Sequence, residues 1–107
     1  MKSQDIVVVL VTAKNRRQGK SIARHLLEKN LAACVNITGA VESMYWWEGK
    51  IVDGGEVLLV IKTRKALFRQ LEAAVREKHS YTVPEIIALP ITDGYAPYLK
   101  WINDTAG

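Results

Sequence analysis

Apolar positions fall into alternating blocks along the chain. Asp5-Ile6-Val7-Val8-Val9-Leu10-Val11-Thr12 is a short β-branched run that reads as a strand buried on both faces. The polar stretch Lys14 to Lys20 follows, and then Ile22, Ala23, Leu26 and Leu27 recur at helical spacing, which predicts a helix over 17–29 with Asn30 as its stop. Ala32 to Tyr45 alternates, with Val35 and Ile37 on one face and Cys34 and Asn36 on the other. Glu48-Gly49-Lys50 marks a turn. Ile51 opens a returning strand that Asp53-Gly54-Gly55 interrupts with a bulge or an irregular patch, and Glu56 to Thr63 continues it. Leu67, Phe68, Leu71, Ala74 and Val75 predict a second helix over Lys65–His79. Val83 to Ile91, flanked by Pro84 and Pro90, reads as a last strand, and Pro97 opens a short helix whose Tyr98, Leu99, Trp101 and Ile102 pack back.

The order is β-α-β-β-α-β with a tail, the split βαβ plan of an α+β, ferredoxin-like sandwich. At 107 residues the chain forms a single domain, 1–107, with a diameter of roughly 34 Å. The two hairpin strands of about 13–15 residues span about 43–50 Å. The hairpin therefore projects, and its tip carries Met44, Tyr45, Trp46, Trp47 and Ile51. Apolar surface of that kind predicts self-association.

Composition is globular, 49% hydrophobic and 24% charged. Charge is uneven: residues 1–30 carry a net +5, residues 31–61 a net −3 and residues 62–107 a net +2. The basic segments read as solvated helix faces. No apolar run approaches the ~20 residues of a membrane span, and no secretory pattern opens the chain. The single cysteine, Cys34, excludes an internal disulfide. A cytoplasmic, reducing address is expected.

The fold hosts many functions, so the residues must choose among them. The first strand and the third (Val57 to Thr63) lack the aromatics on which an RNA-recognition module stacks bases, so no specific nucleic acid is expected. Thr12-Ala13-Lys14-Asn15-Arg16 holds no cysteine pair for soft-metal transfer. Gly19-Lys20-Ser21 ends like a P-loop, but Lys14 stands where the loop needs its first glycine. Arg16, Arg17 and Asn36 are candidate parts of an acylphosphatase-like site, but the glycine-rich context that such a site needs is absent. The histidines are His25, read as packing, and His79, at the end of the second helix where the helix dipole favours an imidazolium. No acid–base–nucleophile set assembles, so no enzyme is expected. A thiol and an imidazole, Cys34 and His79, suit copper or zinc, and two ligands need carboxylates such as Glu56 or Glu85, or a second subunit, to complete a site.

Several blocks then resemble one family. Leu31-Ala32-Ala33-Cys34-Val35-Asn36-Ile37, Tyr45-Trp46-Trp47-Glu48-Gly49-Lys50, Glu56 with Leu59-Val60-Ile61-Lys62-Thr63, His79 to Pro90 and Tyr98-Leu99-Lys100-Trp101 resemble, in order and spacing, the segments of the CutA divalent-cation-tolerance family. Ser80 departs from the family's proline, and Val11 from a cysteine that some members carry. The resemblance implies a homotrimer of the same build as the PII regulators and a link to tolerance of copper and other divalent cations. On that reading Cys34 and His79, assisted by Glu56 and Glu85, are candidate metal ligands. The alternative is a PII-like sensor or scaffold that takes a small anionic ligand or a partner protein between subunits, with Lys62, Asn36 and Trp47 as contacts for the ligand.

Overall fold

The computed structural model describes residues 2–107. A turn of 3₁₀ helix at Ser3–Asp5 leads into β1 (Ile6–Ala13), α1 (Arg16–Glu28), β2 (Cys34–Ile37), β3 (Val41–Trp47), β4 (Lys50–Arg64), α2 (Phe68–Lys78), β5 (Ile86–Pro90) and α3 (Ala96–Thr105). The sheet order is β2-β4-β1-β5, with β3 also paired to β4, and every ladder is antiparallel. This is the expected α+β sandwich.

Local chemistry explains the element ends. Asn15 caps α1 by accepting from Gln18 N (2.9 Å), and the Gln18 side-chain oxygen accepts from Lys14 N (3.1 Å). At the other end Asn30 takes a left-handed conformation (φ 59°), and Leu31 N donates to Leu26 O (2.9 Å), which closes the helix as a Schellman turn. The second helix starts later than its apolar spacing predicts, because Lys65–Leu67 forms a 3₁₀ turn. The last strand is shorter than Val83 to Ile91. Pro84 has no N–H for a ladder, and pairing to β1 starts at Ile86↔Val11 and ends at Pro90↔Val7.

One face of the sheet meets the helices. Val7, Val9, Val11 and Ala13 of β1 and Val57, Leu59 and Ile61 of β4 are buried against Ile22 and Leu26 of α1 and Leu71, Ala74 and Val75 of α2. Thr63 is also fully buried, and its hydroxyl donates to Leu31 O (2.7 Å). The expectation that β1 is buried on both sides fails for its even positions. Only Ile6 is sealed there, under Leu99 and Ile102 of α3. Val8, Leu10 and Thr12 stay half-buried beside Leu58 and Val60, with Ile87 and Leu89 exposed next to them. Helix α3 is too short to roof the whole second face.

The hairpin also differs in detail. Its first arm is two strands. Ile37 pairs Leu59 but Val41 pairs Glu56, so Thr38, Gly39 and Ala40 stand opposite only Val57 and Leu58. The extra residue is accommodated because the Thr38 hydroxyl accepts from Leu58 N (2.9 Å) and donates to Gly39 O (2.7 Å). The bulge expected at Asp53-Gly54-Gly55 is absent: β4 runs through it, pairing Met44, Ser43 and Glu42 in turn. Glu48 (φ 50°) and Gly49 (φ 77°) make a two-residue turn with both residues left-handed. The hairpin projects as expected. The molecule measures 44 × 26 × 24 Å, and Met44 and Trp46 are each 72% exposed.

Thr63→Val removes the hydroxyl that satisfies the Leu31 carbonyl inside the core. A loss of about 1–3 kcal/mol is expected, read as a lower midpoint in denaturant. An unchanged midpoint would show that this bond does not hold α1's exit to β4.

Candidate functional site

The sequence-predicted site residues separate into two clusters and two outlying side chains. Cys34 pairs Lys62 across β2 and β4 and shares the half-open sheet face with Asn36. Lys62 Nζ lies 3.9 Å from Cys34 Sγ and donates to Asn36 Oδ1, while Sγ is 3.8 Å from the same oxygen. Tyr98 of α3 closes the group: burial, and then the neighbouring Cys34, raise its pKa above the ordinary phenol value. Tyr98 stacks on Trp101 with ring centroids 5.7 Å apart. Lys62 has no carboxylate partner among the described residues.

His79 belongs to the other cluster. It caps α2, its N–H bonding Val75 O (2.9 Å). Its Nε2 lies 2.7 Å from Thr12 O, and its Nδ1 accepts from Tyr81 N (3.1 Å). A carbonyl accepts only, so Nε2 carries the proton and both ring nitrogens are engaged with backbone. Tyr81 lies 4.5 Å from the His79 ring and donates its hydroxyl to Glu56 Oε2 (2.8 Å). Glu56 is only 8% exposed. Burial first, and then the hydrogen bond and charge of Glu56, push the Tyr81 phenol far above its ordinary pKa. Ser80 does not free this loop, because its hydroxyl accepts from Gln18 Nε2 (2.7 Å), tying it to the start of α1.

Four strand residues separate Lys62, the partner of Cys34, from Leu58, the partner of Thr12. Glu56 is two further on. At ~3.3 Å per residue that is about 13–20 Å. Within one chain Cys34 therefore stands apart from His79 and Glu56, which share a network through Tyr81, and Glu85, one residue before β5, is exposed. Among the described residues no group of three or more His, Cys, Asp or Glu side chains is placed to hold a metal ion. Asn36 and Lys62 are brought together, but Trp47 pairs Lys50 at the hairpin tip, twelve residues along β4, about 40 Å away. His25 sits apart, its Nε2 3.7 Å from Glu77 Oε2.

Residues 7–105 match the family described as CutA1 divalent ion tolerance protein. The chain belongs to the CutA1 family. It is 44% identical over 100 residues to the divalent-cation tolerance protein CutA of Thermus thermophilus, covering 94% of this chain and 97% of that one. The solved CutA1 structure from that organism superposes with a TM-score of 0.93 at 43% identity, over 95% of this chain and 99% of the other. The periplasmic CutA of Archaeoglobus fulgidus gives a TM-score of 0.92 at 41% identity, over 95% and 99%. The chloroplastic CutA 1 of Oryza sativa is 48% identical over 99 residues, which are 92% of this chain and 56% of the rice protein. The chain thus spans a little over half the length of that relative, and 54% of the chloroplastic CutA of Arabidopsis thaliana. These CutA1 relatives are named for tolerance of divalent cations or simply as CutA, none for a reaction.

Sequence reasoning missed Tyr81 and Tyr98, the residues that complete the two clusters. Tyr81 carried a signal, standing two residues after His79 in the family block. Tyr98 carried one only once α3 was known to lie over the open face.

Two expectations follow for the CutA1 fold of this chain. Tyr81 keeps its proton when folded, so its contribution is fully present below the ordinary phenol pKa of ~10 and is lost as pH rises above it. Tyr81→Phe should flatten the fall in stability above pH ~10, measured by thermal unfolding across the alkaline range. An equally steep fall in the variant would assign the alkaline limit to another group. His79→Ala should cost about 1–3 kcal/mol, since it strips partners from Thr12 O and Tyr81 N.

Proposed function

We propose that the chain serves divalent-cation tolerance as one subunit of a homotrimer, by binding rather than by catalysis, with the working site assembled between subunits. The observation that carries this reading is the sheet's second face. It is apolar and half-open, and it bears Cys34, Asn36 and Lys62. Both sheet edges, β2 and β5, have an unpaired side within the chain. An edge of one kind meeting an edge of another kind is a head-to-tail contact, which closes as a ring when the rotation between neighbours returns to its start. Met44 and Trp46 on the outer face of the hairpin, each 72% exposed, add surface for a neighbour to cover.

Copper is the metal that fits the candidate ligands. Cys34 is the soft donor, and the remaining donors come from a neighbouring subunit, with exposed Glu85 as the carboxylate of the original set most open to it. His79 acts in this reading as a structural residue, because coordination by either nitrogen breaks a backbone hydrogen bond. Cys34 also supports a reducing compartment, and so a cytoplasmic address.

Lys62 favours a second reading. Its ammonium stands 3.9 Å from the thiol without a carboxylate, so a cation at Cys34 is repelled while a small anion gains a charge-assisted hydrogen bond. That is the PII-like sensor, with Lys62 and Asn36 as contacts.

Native mass spectrometry should give three chains per particle; a monomer at micromolar concentration would sink the assembly. Calorimetry on that species separates the ligands. Cys34→Ser should weaken copper binding at least ~10-fold and His79→Ala should leave it unchanged. Copper bound equally by wild type and Cys34→Ser would remove the metal reading and leave the anion reading to be tested with Lys62→Gln.

A further inference from the structure

A cleft of about 290 Å³ lies between the hairpin and the loop after α2, lined by Tyr45, Trp47, Ser80, Tyr81, Thr82 and Val83. It shares Tyr81 with the His79–Glu56 cluster, and its other lining residues lie outside both clusters. Tyr45 and Trp47 alternate on one face of β3, and they are 43% and 45% exposed where Met44 and Trp46 on the opposite face are each 72% exposed. The facing wall is built to hold still. The Tyr81 hydroxyl is fixed by Glu56, its backbone N–H by His79, and Ser80 by Gln18.

We infer that this cleft is a binding site for a small organic cation of the quaternary ammonium or guanidinium class. Three aromatic rings converge on it, and the faces of tryptophan and tyrosine attract such ions. The charge has the right sign. Residues 41–56 carry Glu42, Glu48, Asp53 and Glu56 against Lys50 alone, and Glu56 is buried directly behind Tyr81. Arg76 and Glu77 lie on the far side of Tyr81 and Thr82, as one charge of each sign. A bare divalent ion does not fit, since it needs several oxygen or nitrogen donors around one point and the lining offers rings and neutral hydroxyls with no carboxylate or imidazole. The volume lies at the small end of ligand sites, which suits a head group rather than a nucleotide. The site uses one chain only and does not rest on the assembly proposed above.

The test is titration of tetramethylammonium chloride into the intact ¹⁵N-labelled protein at constant chloride, with tert-butanol as the neutral control of similar shape. The Trp47 indole N–H resonance should move saturably while those of Trp46 and Trp101 stay, and tert-butanol should leave all three in place. Trp47→Leu should abolish the response at Tyr81. Glu56→Gln keeps an oxygen for the Tyr81 hydroxyl and removes the charge, and should weaken binding about fivefold. An unresponsive Trp47, an equal response to tert-butanol, or unweakened binding by Glu56→Gln in a protein of native fold would each overturn the proposal.

Discussion

The antiparallel ladder between β1 and β4 is the constraint on which everything else hangs. It pairs Ile6 with Arg64 through to Ala13 with Val57 without a break. Because side chains alternate, this register sends the odd residues of both strands toward the helices and the even ones toward the second face. Both clusters are then fixed by position along one strand. Lys62 is set beside Cys34 near one end of β4, and Glu56 beside Tyr81 at its middle.

The two faces have different chemistry because they are covered differently. Two amphipathic helices seal the first face with aliphatic side chains. The short α3 seals the second around Ile6 and reaches Cys34 through Tyr98, so apolar positions such as Leu10 and Val60 are left half-open beside a lysine and a thiol. Partial cover therefore sets the chemistry around Cys34. The thiol keeps contact with Lys62, Asn36 and Tyr98 instead of being sealed among hydrocarbon.

Element type and order were legible in the chain, because hydrophobic periodicity reports which faces are buried and both helices have clear stripes. Asn30 was readable as a stop through its tolerance of the left-handed conformation. Two kinds of feature were not legible. One is where a strand breaks: Gly54 and Gly55 look like an interruption, yet glycine also accepts a regular ladder, and the hydroxyl of Thr38 made the real irregularity on the opposite arm. The other is distance across the sheet. Cys34 and His79 are a plausible ligand pair as residue types, and only the register shows that they meet the sheet at positions four residues apart along β4. The coverage of the second face was also invisible, since a β-branched run such as Ile6 to Val11 reads the same whether one face or both are sealed.

The extra residue in Thr38–Ala40 acts as a counter of side-chain parity. Before it, even residues of the hairpin's first arm share a face with the even residues of β4; after it, odd residues do. Removing one residue there would leave both arms paired and every hydrogen bond of the tip intact in kind. Val41 would then follow β2 in step and stand opposite Glu56, where it already pairs, so Tyr45 and Trp47 would keep the cleft face. The surplus residue is thus a spacer between two ladders that β4 aligns independently, and its loss would change how the first arm bends, not which side chains face the cleft.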